Sequence, residues 1–363
     1  MRSLLGRLIP KRFAKPVLLT AAALLIVLAA TSGIALLPPG DGANVQLVDC
    51  AKGASLSRAS ADMKRKGIIR SSTALVLLAR FKGVDNQVQA GTYRLTDAMS
   101  LAEILRKLVA GEIYAYRFAV PEGYSIFQLA ELLDSRRIHA KADFLAACTD
   151  RALLREFGIT ATSVEGYLFP ATYNITPGMK PVDTVRMMVR QFEKTCENQF
   201  SPALAKRGDA RHRLVTLASI VEKEAVDPKE RPLIASVFYN RLGKGMRLQS
   251  DPTAVYGLRP FAGKISGEDV RRSSPYNTYR IHGLPPGPIG NPGAGALQAV
   301  LAPQNTPYYY FVARNDGTHF FSTTLDQHNM AVTKYLKSKG RERLESGAVP
   351  GYRNDHPSVT GGR

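Results

Sequence analysis

Apolar and polar positions follow three different rhythms along the chain. Val17 to Leu37 contains no charged residue. At 1.5 Å per helical residue this run can cross a hydrocarbon core of ~30 Å, so a transmembrane helix is predicted over 16–38. LPPGDGAN then forms a linker rich in Pro and Gly. Beyond it a helical period appears in LAEILRKLVA at 101–110, from Val182 to Cys196 and from Leu214 to Val226. Ser100 with Glu103 and Ser125 with Gln128 are spaced as capping boxes, and Gly111 is placed to end the first of these helices. Asp227 as N-cap, Pro228 in the first turn and Glu230 restart a helix that carries PLIASVFYNRLG to Gly243. A strand reading suits VQAGTYRL. YYYFV at 308–312 and THFFSTT at 318–324 flank Asp316-Gly317 as a hairpin. GLPPGPIGNPG at 283–293 is too rich in Pro and Gly for either element and reads as a stiff loop, and the polar sequence from Ser346 as a disordered tail.

Two stretches echo one another. KGASL at 52–56 is followed by Met63 and Ile68, and EGYSI at 122–126 by Leu133 and Ile138, with equal intervals from the glycine. The echo predicts a duplicated turn-plus-helix unit. Such small strand-and-helix units resemble LysM modules, which bind glycans containing N-acetylglucosamine. A spacer without ligand is the other reading, and the pattern is too short to choose.

The sharpest chemical question lies in LVTLASIVEKEAV at 214–226. With about 100° per residue, Glu224 returns to within about 20° of Leu217, the centre of the apolar stripe, between Ile220 and Val221. Glu222 falls about 140° away by the same count, on the polar side, where it can be solvated or paired. An inward carboxylate must pair with a cation or keep its proton. The first outcome is a structural ion pair with Arg241 or Arg247. The second is the state a general acid needs at neutral pH.

Charge changes the picture in one respect. The 363 residues carry 49 Lys+Arg against 30 Asp+Glu, a net +19, which suits polyanions, anionic lipid or an acidic polymer. Nucleic acid is set aside, because the chain has no zinc-finger spacing, no helix-turn-helix signature and no basic run interleaved with aromatics. Arg2, Arg7, Lys11, Arg12 and Lys15 precede the uncharged run. They predict a cytoplasmic leader over 1–15, with the bulk of the chain on the other side of the membrane. A cleaved signal peptide is the rival to an anchor, since Ala29, Ala30, Ser32 and Gly33 suit a cleavage site. Cys50, Cys148 and Cys196 are too few and too scattered for a metal cluster or a disulfide framework, and Asp49 argues against lipidation of Cys50.

Candidate partners for Glu224 follow it in sequence. MRLQSDPTAV supplies Gln249 and Asp251, and SPYNTY supplies Tyr276, Asn277 and Tyr279. Amides, hydroxyls and aromatic faces beside a protonated glutamate suit a sugar-binding cleft, though Gln, Ser, Asp and Pro are also ordinary turn residues. ASIVEKEA, ASVFYNRL, GMRLQSDPTAVYG, SPYNTY, HGLPPGPIGNPG, and YYFV followed by HFFSTT and Asp326-Gln-His328-Asn329, taken in this order, resemble the membrane-anchored endolytic murein transglycosylase family from Val45 to Leu336.

The resemblance implies an α+β protein of the bacterial inner membrane. A transmembrane helix would precede a LysM-like module over 41–118 and a lysozyme-like catalytic domain over 119–345, in which 119–180 holds the second repeat. The catalytic domain would face the periplasm or cell exterior. The second glutamate of the family's E-K-E motif matches Glu224 as the essential acid. LQSDPTA and PYNTY are similar to motifs of lysozyme-like transglycosylases, which implies that Gln249, Asp251, Tyr276 and Asn277 bind substrate. The implied reaction cuts peptidoglycan strands between N-acetylmuramic acid and N-acetylglucosamine without water, and it uses no metal or organic cofactor. Peptidoglycan polymerases are the implied partners. A hydrolytic muramidase with Asp251 as second carboxylate and a non-catalytic glycan-binding scaffold remain the alternatives.

Overall fold

The helix periods and caps read from the sequence appear where local chemistry demands them. The computed structural model describes residues 33–337, apart from 52–54, 201–203, 205, 259–264 and 315. Residues 16–32 of the predicted spanning segment lie outside the described residues, as does the tail from Ser346. Among the described residues no helix is long and apolar enough to cross a membrane. They fall into two units, one running to Arg117 with Asn174–Met179 added, the other comprising Phe118–Tyr173 and the chain from Lys180 onward.

In the first unit, strand β1 (Val45–Cys50) leads to helices α1 (Leu56–Arg65) and α2 (Ser72–Phe81), and then to strand β2 (Gly91–Thr96) and helix α3 (Leu101–Ala110). The two strands pair antiparallel, from Val45 opposite Thr96 to Cys50 opposite Gly91. Val48, Met63, Ile68, Leu75, Tyr93, Leu95, Ile104 and Leu108 make its core. Ser100 and Glu103 form the expected reciprocal cap, and Gly111 closes α3 in the left-handed region at φ 67°.

The second unit begins within strand β3 (Tyr116–Ala119) and continues through helices α4 (Ile126–Ser135), α5 (Lys141–Cys148) and α6 (Arg151–Glu156) to strand β4 (Thr172–Ile175), which pairs with β3. The sequence echo is therefore larger than a turn and a helix. In both copies a strand, a run of helices and a returning strand follow in order, with two helices in the first copy and three in the second, and α1 and α4 end alike. Ile68 N donates to Met63 O at 2.9 Å, and Ile138 N donates to Leu133 O at 3.0 Å. The residue before each isoleucine is left-handed, Gly67 at φ 73° and Arg137 at φ 54°. Glycine takes that conformation freely and arginine does not, so the second copy keeps the turn at a backbone cost.

Helices α7 (Pro181–Gln199) and α8 (Asp209–Glu224) follow. A short 3₁₀ turn at Pro228–Glu230 then leads to α9 (Arg231–Gly243), α10 (Asp251–Val255), α11 (Gly267–Arg271) and α12 (Ala294–Leu301). The hairpin of β5 (Tyr310–Ala313) and β6 (His319–Ser322) pairs Tyr310 with Ser322, and α13 (Leu325–Val332) packs back on it. Helix α8 is the axle of this unit. It packs on α9, α10 and α12, and every residue from Val215 to Val221 is buried. Near its start, Arg211 is 1% exposed and donates to Glu193 at 2.9 Å, with its guanidinium 5.5 Å from the Tyr167 ring centre. All three cysteines are buried and free.

The Pro/Gly loop at 283–293 lies along α8. Ile289 N donates to Ser219 Oγ at 3.0 Å, and a Cβ at Gly290 would come within 2.4 Å of the Gly123 carbonyl oxygen, which is why the position has no side chain. Asn291 is fully buried. Its oxygen accepts from Leu168 N at 2.8 Å, and its nitrogen donates to Tyr124 O at 2.7 Å and to Glu165 at 3.2 Å. Asn291→Ala strands the Leu168 N–H and takes one donor from the buried Glu165, while the Tyr124 carbonyl keeps the Asn291 backbone N–H, so the second unit should lose about 1–3 kcal/mol, the cost of one buried orphan. Urea unfolding followed by circular dichroism measures this, and a loss below about 1 kcal/mol would mean that the loop is held by packing alone.

Candidate active site

The last turn of α8 sends three charged side chains to three different places. Glu224 Oε1 accepts from Ser250 Oγ at 2.5 Å. Ser250 is itself fixed, since its N–H donates to Thr278 Oγ1 at 2.9 Å and its carbonyl accepts from Thr253 Oγ1 at 2.5 Å. The carboxyl of the half-buried Glu224 lines a cavity of about 410 Å³ together with Arg241, Gln249, Asp251, Tyr279 and His328. Burial pushes the Glu224 pKa up to about 7. Asp251 adds to the shift, while the Ser250 hydrogen bond and the Arg241 charge oppose it without cancelling it. The surroundings are more polar than Leu217, Ile220 and Val221 imply, yet desolvation remains the largest cause.

Arg241 does not form the ion pair that the helical phase leaves open. Among the described residues Glu224 has no salt-bridge partner, and the 7%-exposed guanidinium is spent on carbonyls instead. Its Nε donates to Tyr309 O at 2.6 Å, and its Nη1 donates to Leu248 O at 2.8 Å and to Gln249 Oε1 at 3.2 Å. Arg241 thereby ties α9 to the hairpin and to the 247–249 loop, whose carbonyl at Arg247 it also binds. Gln249 sits at φ 53°, a left-handed conformation unusual for a side-chain-bearing residue, and this turn aims its amide at the Arg241 edge of the cavity.

The four residues implied to bind substrate part company. Gln249 and Asp251 line the cavity, whereas Tyr276 and Asn277 do not. Asn277 is fully buried, donates to Val270 O at 2.9 Å and Arg272 O at 2.7 Å, and accepts from Tyr279 N at 3.1 Å. An amide with its donors and acceptor occupied inside the chain clamps a loop and has nothing left for a sugar. Tyr276 packs on Tyr256 with ring centres 4.6 Å apart. The member of SPYNTY that reaches the cavity is Tyr279, whose hydroxyl donates to Asp251 Oδ1 at 2.6 Å and is pushed up by burial and by that carboxylate.

Of the two outcomes open to Glu222, solvation and pairing, the structure shows pairing, with an arginine. Its side chain is 5% exposed, accepting from Arg231 at 2.8 Å and from Gly293 N at 2.9 Å. The polar flank of α8 at Glu222 meets the 283–293 loop and Arg231 rather than water, which the helical wheel does not show. Lys223 points elsewhere again and donates to Gln128 Oε1 at 3.3 Å.

Sequence reasoning also misses Glu165. This 2%-exposed carboxyl accepts from Ile126 N at 3.0 Å, at the start of α4, and from Tyr256 Oη at 2.9 Å, and burial pushes its pKa up to about 7. It does not line the Glu224 cavity. No local pattern announces it, because its partners lie 39 and 91 residues away.

Glu222→Ala leaves Arg231 without its buried partner and Gly293 N–H unmet, so stability should fall by about 3–5 kcal/mol, the range for breaking a buried pair on one side. Calorimetry of the variant checks it. An unchanged melting temperature would show that Arg231 is satisfied by Glu122, its other neighbour at 3.1 Å.

The sequence and fold can be set beside known proteins. The family model described as the YceG-like family matches residues 48–334. A Bacillus subtilis protein named endolytic murein transglycosylase is 35% identical over 311 residues, covering 81% of this chain and 86% of the relative. A Streptococcus pneumoniae protein of the same name is 28% identical over 320 residues, and the match spans 79% of this chain but 58% of that longer relative. A crystal structure of a yceG-like protein from Listeria monocytogenes superposes with a TM-score of 0.55 at 32% identity, covering 79% of this chain and 98% of its own. A matching family model over most of the chain and a relative this similar along most of its length settle the kinship: the chain belongs to the YceG-like family.

Proposed function

We infer that this chain is an endolytic murein transglycosylase, which cuts the β-1,4 bond between N-acetylmuramic acid and N-acetylglucosamine inside peptidoglycan strands without water. One observation carries the reading: the Glu224 carboxyl, whose pKa burial raises to about 7, opens onto a cavity lined by amide, phenol and guanidinium groups, and the other carboxyl there, Asp251, is engaged by the Tyr279 hydroxyl. In the proposed reaction Glu224 gives its proton to the glycosidic oxygen as the bond to muramic C1 breaks. The resulting carboxylate takes the proton of the muramic C6 hydroxyl, whose oxygen bonds to C1. The products are a free N-acetylglucosamine hydroxyl and a 1,6-anhydro-muramic end, and Glu224 regains its starting state. The names of the B. subtilis and S. pneumoniae relatives support this substrate and reaction.

A hydrolase would need a second carboxylate to direct water or attack C1. Asp251 is the one at hand, and its Oδ1 already accepts the Tyr279 hydroxyl. That engagement favours the lytic reading. The finer parts of the proposal rest on the sequence. Five cations before an uncharged run of membrane length support single-pass anchorage in the inner membrane, with the described residues outside the cytoplasm. Anchorage beside the growing wall suits a role in ending nascent strands next to the peptidoglycan polymerases, and the duplicated strand-and-helix units are the candidate LysM-like glycan contacts.

Product mass spectrometry on purified strands tests the reaction: fragments should be lighter by one water than hydrolytic ones, with internal cuts giving long pieces first. Hydrolytic ends would move Asp251 into a catalytic pair and overturn the lytic reading. Glu224→Gln should lower the rate by about 10²–10⁴-fold, the usual share of a general acid or base. A loss under 10-fold would remove Glu224 from the chemistry.

The same side chain sets a pH signature. Since Glu224 acts first as acid, kcat/KM should fall as pH rises through about 7. Its folded pKa lies above its unfolded value of ~4.3. The folded state therefore holds the extra proton between those values, and stability declines as pH rises from about 4 to 7. Removing that titration, Glu224→Gln should match the parent at pH 4 and exceed it at pH 8 by roughly 1–3 kcal/mol, allowing for partial exposure of the carboxyl. Chemical denaturation at the two pH values checks the sign.

A further inference from the structure

The hairpin and α13 build one wall of the Glu224 cavity, and that wall holds an imidazole to which the proposed reaction gives no part. His328 on α13 stacks on Tyr310 with ring centres 5.3 Å apart and planes 27° from parallel. The same tyrosine ring carries the Arg241 guanidinium at 5.2 Å, so a cation, a phenol and an imidazole are layered along the wall. His328 Nδ1 is enclosed and has no hydrogen-bond partner among the described residues. An imidazolium would bury an unmet N–H there, and both burial and the nearby Arg241 charge push the ring's pKa down. The ring is therefore neutral. Orphaned buried N–H groups are rarer than under-used acceptors, so the proton belongs on Nε2 and the lone pair on the enclosed Nδ1.

A neutral ring is also what the chemistry next to it requires. A second mobile cation in the cavity would stabilise the Glu224 anion and take away the proton that the acid step uses. The ring lines the cavity yet has no polar atom free except Nε2, so that atom is its one means of serving a ligand.

We propose that His328 is a glycan-binding residue whose Nε2–H donates a hydrogen bond to a neutral oxygen of the sugar held beside Glu224. The assignment rests on the peptidoglycan reading for the identity of the sugar. The Tyr310 stack and the sealed Nδ1 edge fix the ring plane, which makes the donor directional. Asn329, the next residue on α13, lines the same cavity.

The test uses the full chain carrying Glu224→Gln, which holds strands without cutting them, and reads the binding of fluorescently labelled, purified glycan strands. Glutamine in place of histidine carries its amide nitrogen to the Nε2 position, whereas asparagine carries it to the Nδ1 position. His328→Ala should weaken binding about 5–10-fold, the worth of one hydrogen bond. His328→Gln should recover to within about 2-fold of the parent, and His328→Asn should stay near the alanine value. Loss of the Tyr310 stack affects all three substitutions alike, so the order of glutamine over asparagine separates a donor from a packing role. Equal binding by the glutamine and asparagine variants, or no loss with alanine, overturns the proposal. Hydrolytic products from the parent chain would defeat the lytic reading while leaving this order intact, and absence of strand binding by folded Glu224→Gln would defeat both.

Discussion

Glu224 keeps its proton because the end of α8 is enclosed, and much of the second unit is arranged to enclose it. The helix is buried from Val215 to Val221, its start is locked by the Arg211–Glu193 pair, and its far end is hemmed by α9, α10, α12 and the Pro/Gly loop. A carboxyl in that position is costly as an anion. Its single strong hydrogen bond comes from Ser250, a hydroxyl that can serve either protonation state, so the group can shed and regain a proton without rearrangement.

Around this point the structure separates two kinds of polar group. One kind is used up inside the chain: Glu222 on Arg231 and Gly293, Asn277 on the 269–272 turn, Asn291 and Glu165 on each other and on the start of α4, and Arg241 on the carbonyls of two loops. These hold the loops in register at hydrogen-bonding distances and leave little for a ligand. The other kind retains capacity toward the cavity, namely Glu224, Gln249, Asp251, Tyr279 and His328. Rigid support behind and free valence in front is the division that lets one carboxyl act twice on the same sugar.

How much of this is legible in the sequence depends on how local the determining interaction is. The Ser100 and Ser125 capping boxes, the Gly111 helix end and the Asp316-Gly317 hairpin are settled within a few residues and appear as read. Glu224 is legible because its helical phase follows Leu217. For Glu222 the same wheel leaves solvation and pairing open, because it cannot know that Gly293 and Arg231 will meet that flank. Asn277 and Tyr279 are two positions apart in one turn, and only the fold decides that the amide turns inward while the phenol reaches Asp251. His328 is part of a motif quoted for the family resemblance, but its place in the cavity depends on α13 folding back onto β5. The echo of two glycine-led stretches is visible in sequence, but the strands that complete each copy are separated by tens of residues and emerge only from pairing.

The account stands on the protonation of one side chain, and that can be read directly. Difference infrared spectroscopy of the parent chain against Glu224→Gln, recorded across a pH series, isolates the carboxyl stretch of Glu224 from Glu165, which titrates in the same region. A protonated carboxyl band that persists at pH 6 and disappears through about 7 is the predicted result. A Glu224 already ionised at pH 5 would contradict the account, because no buried acid would then be present to start the reaction.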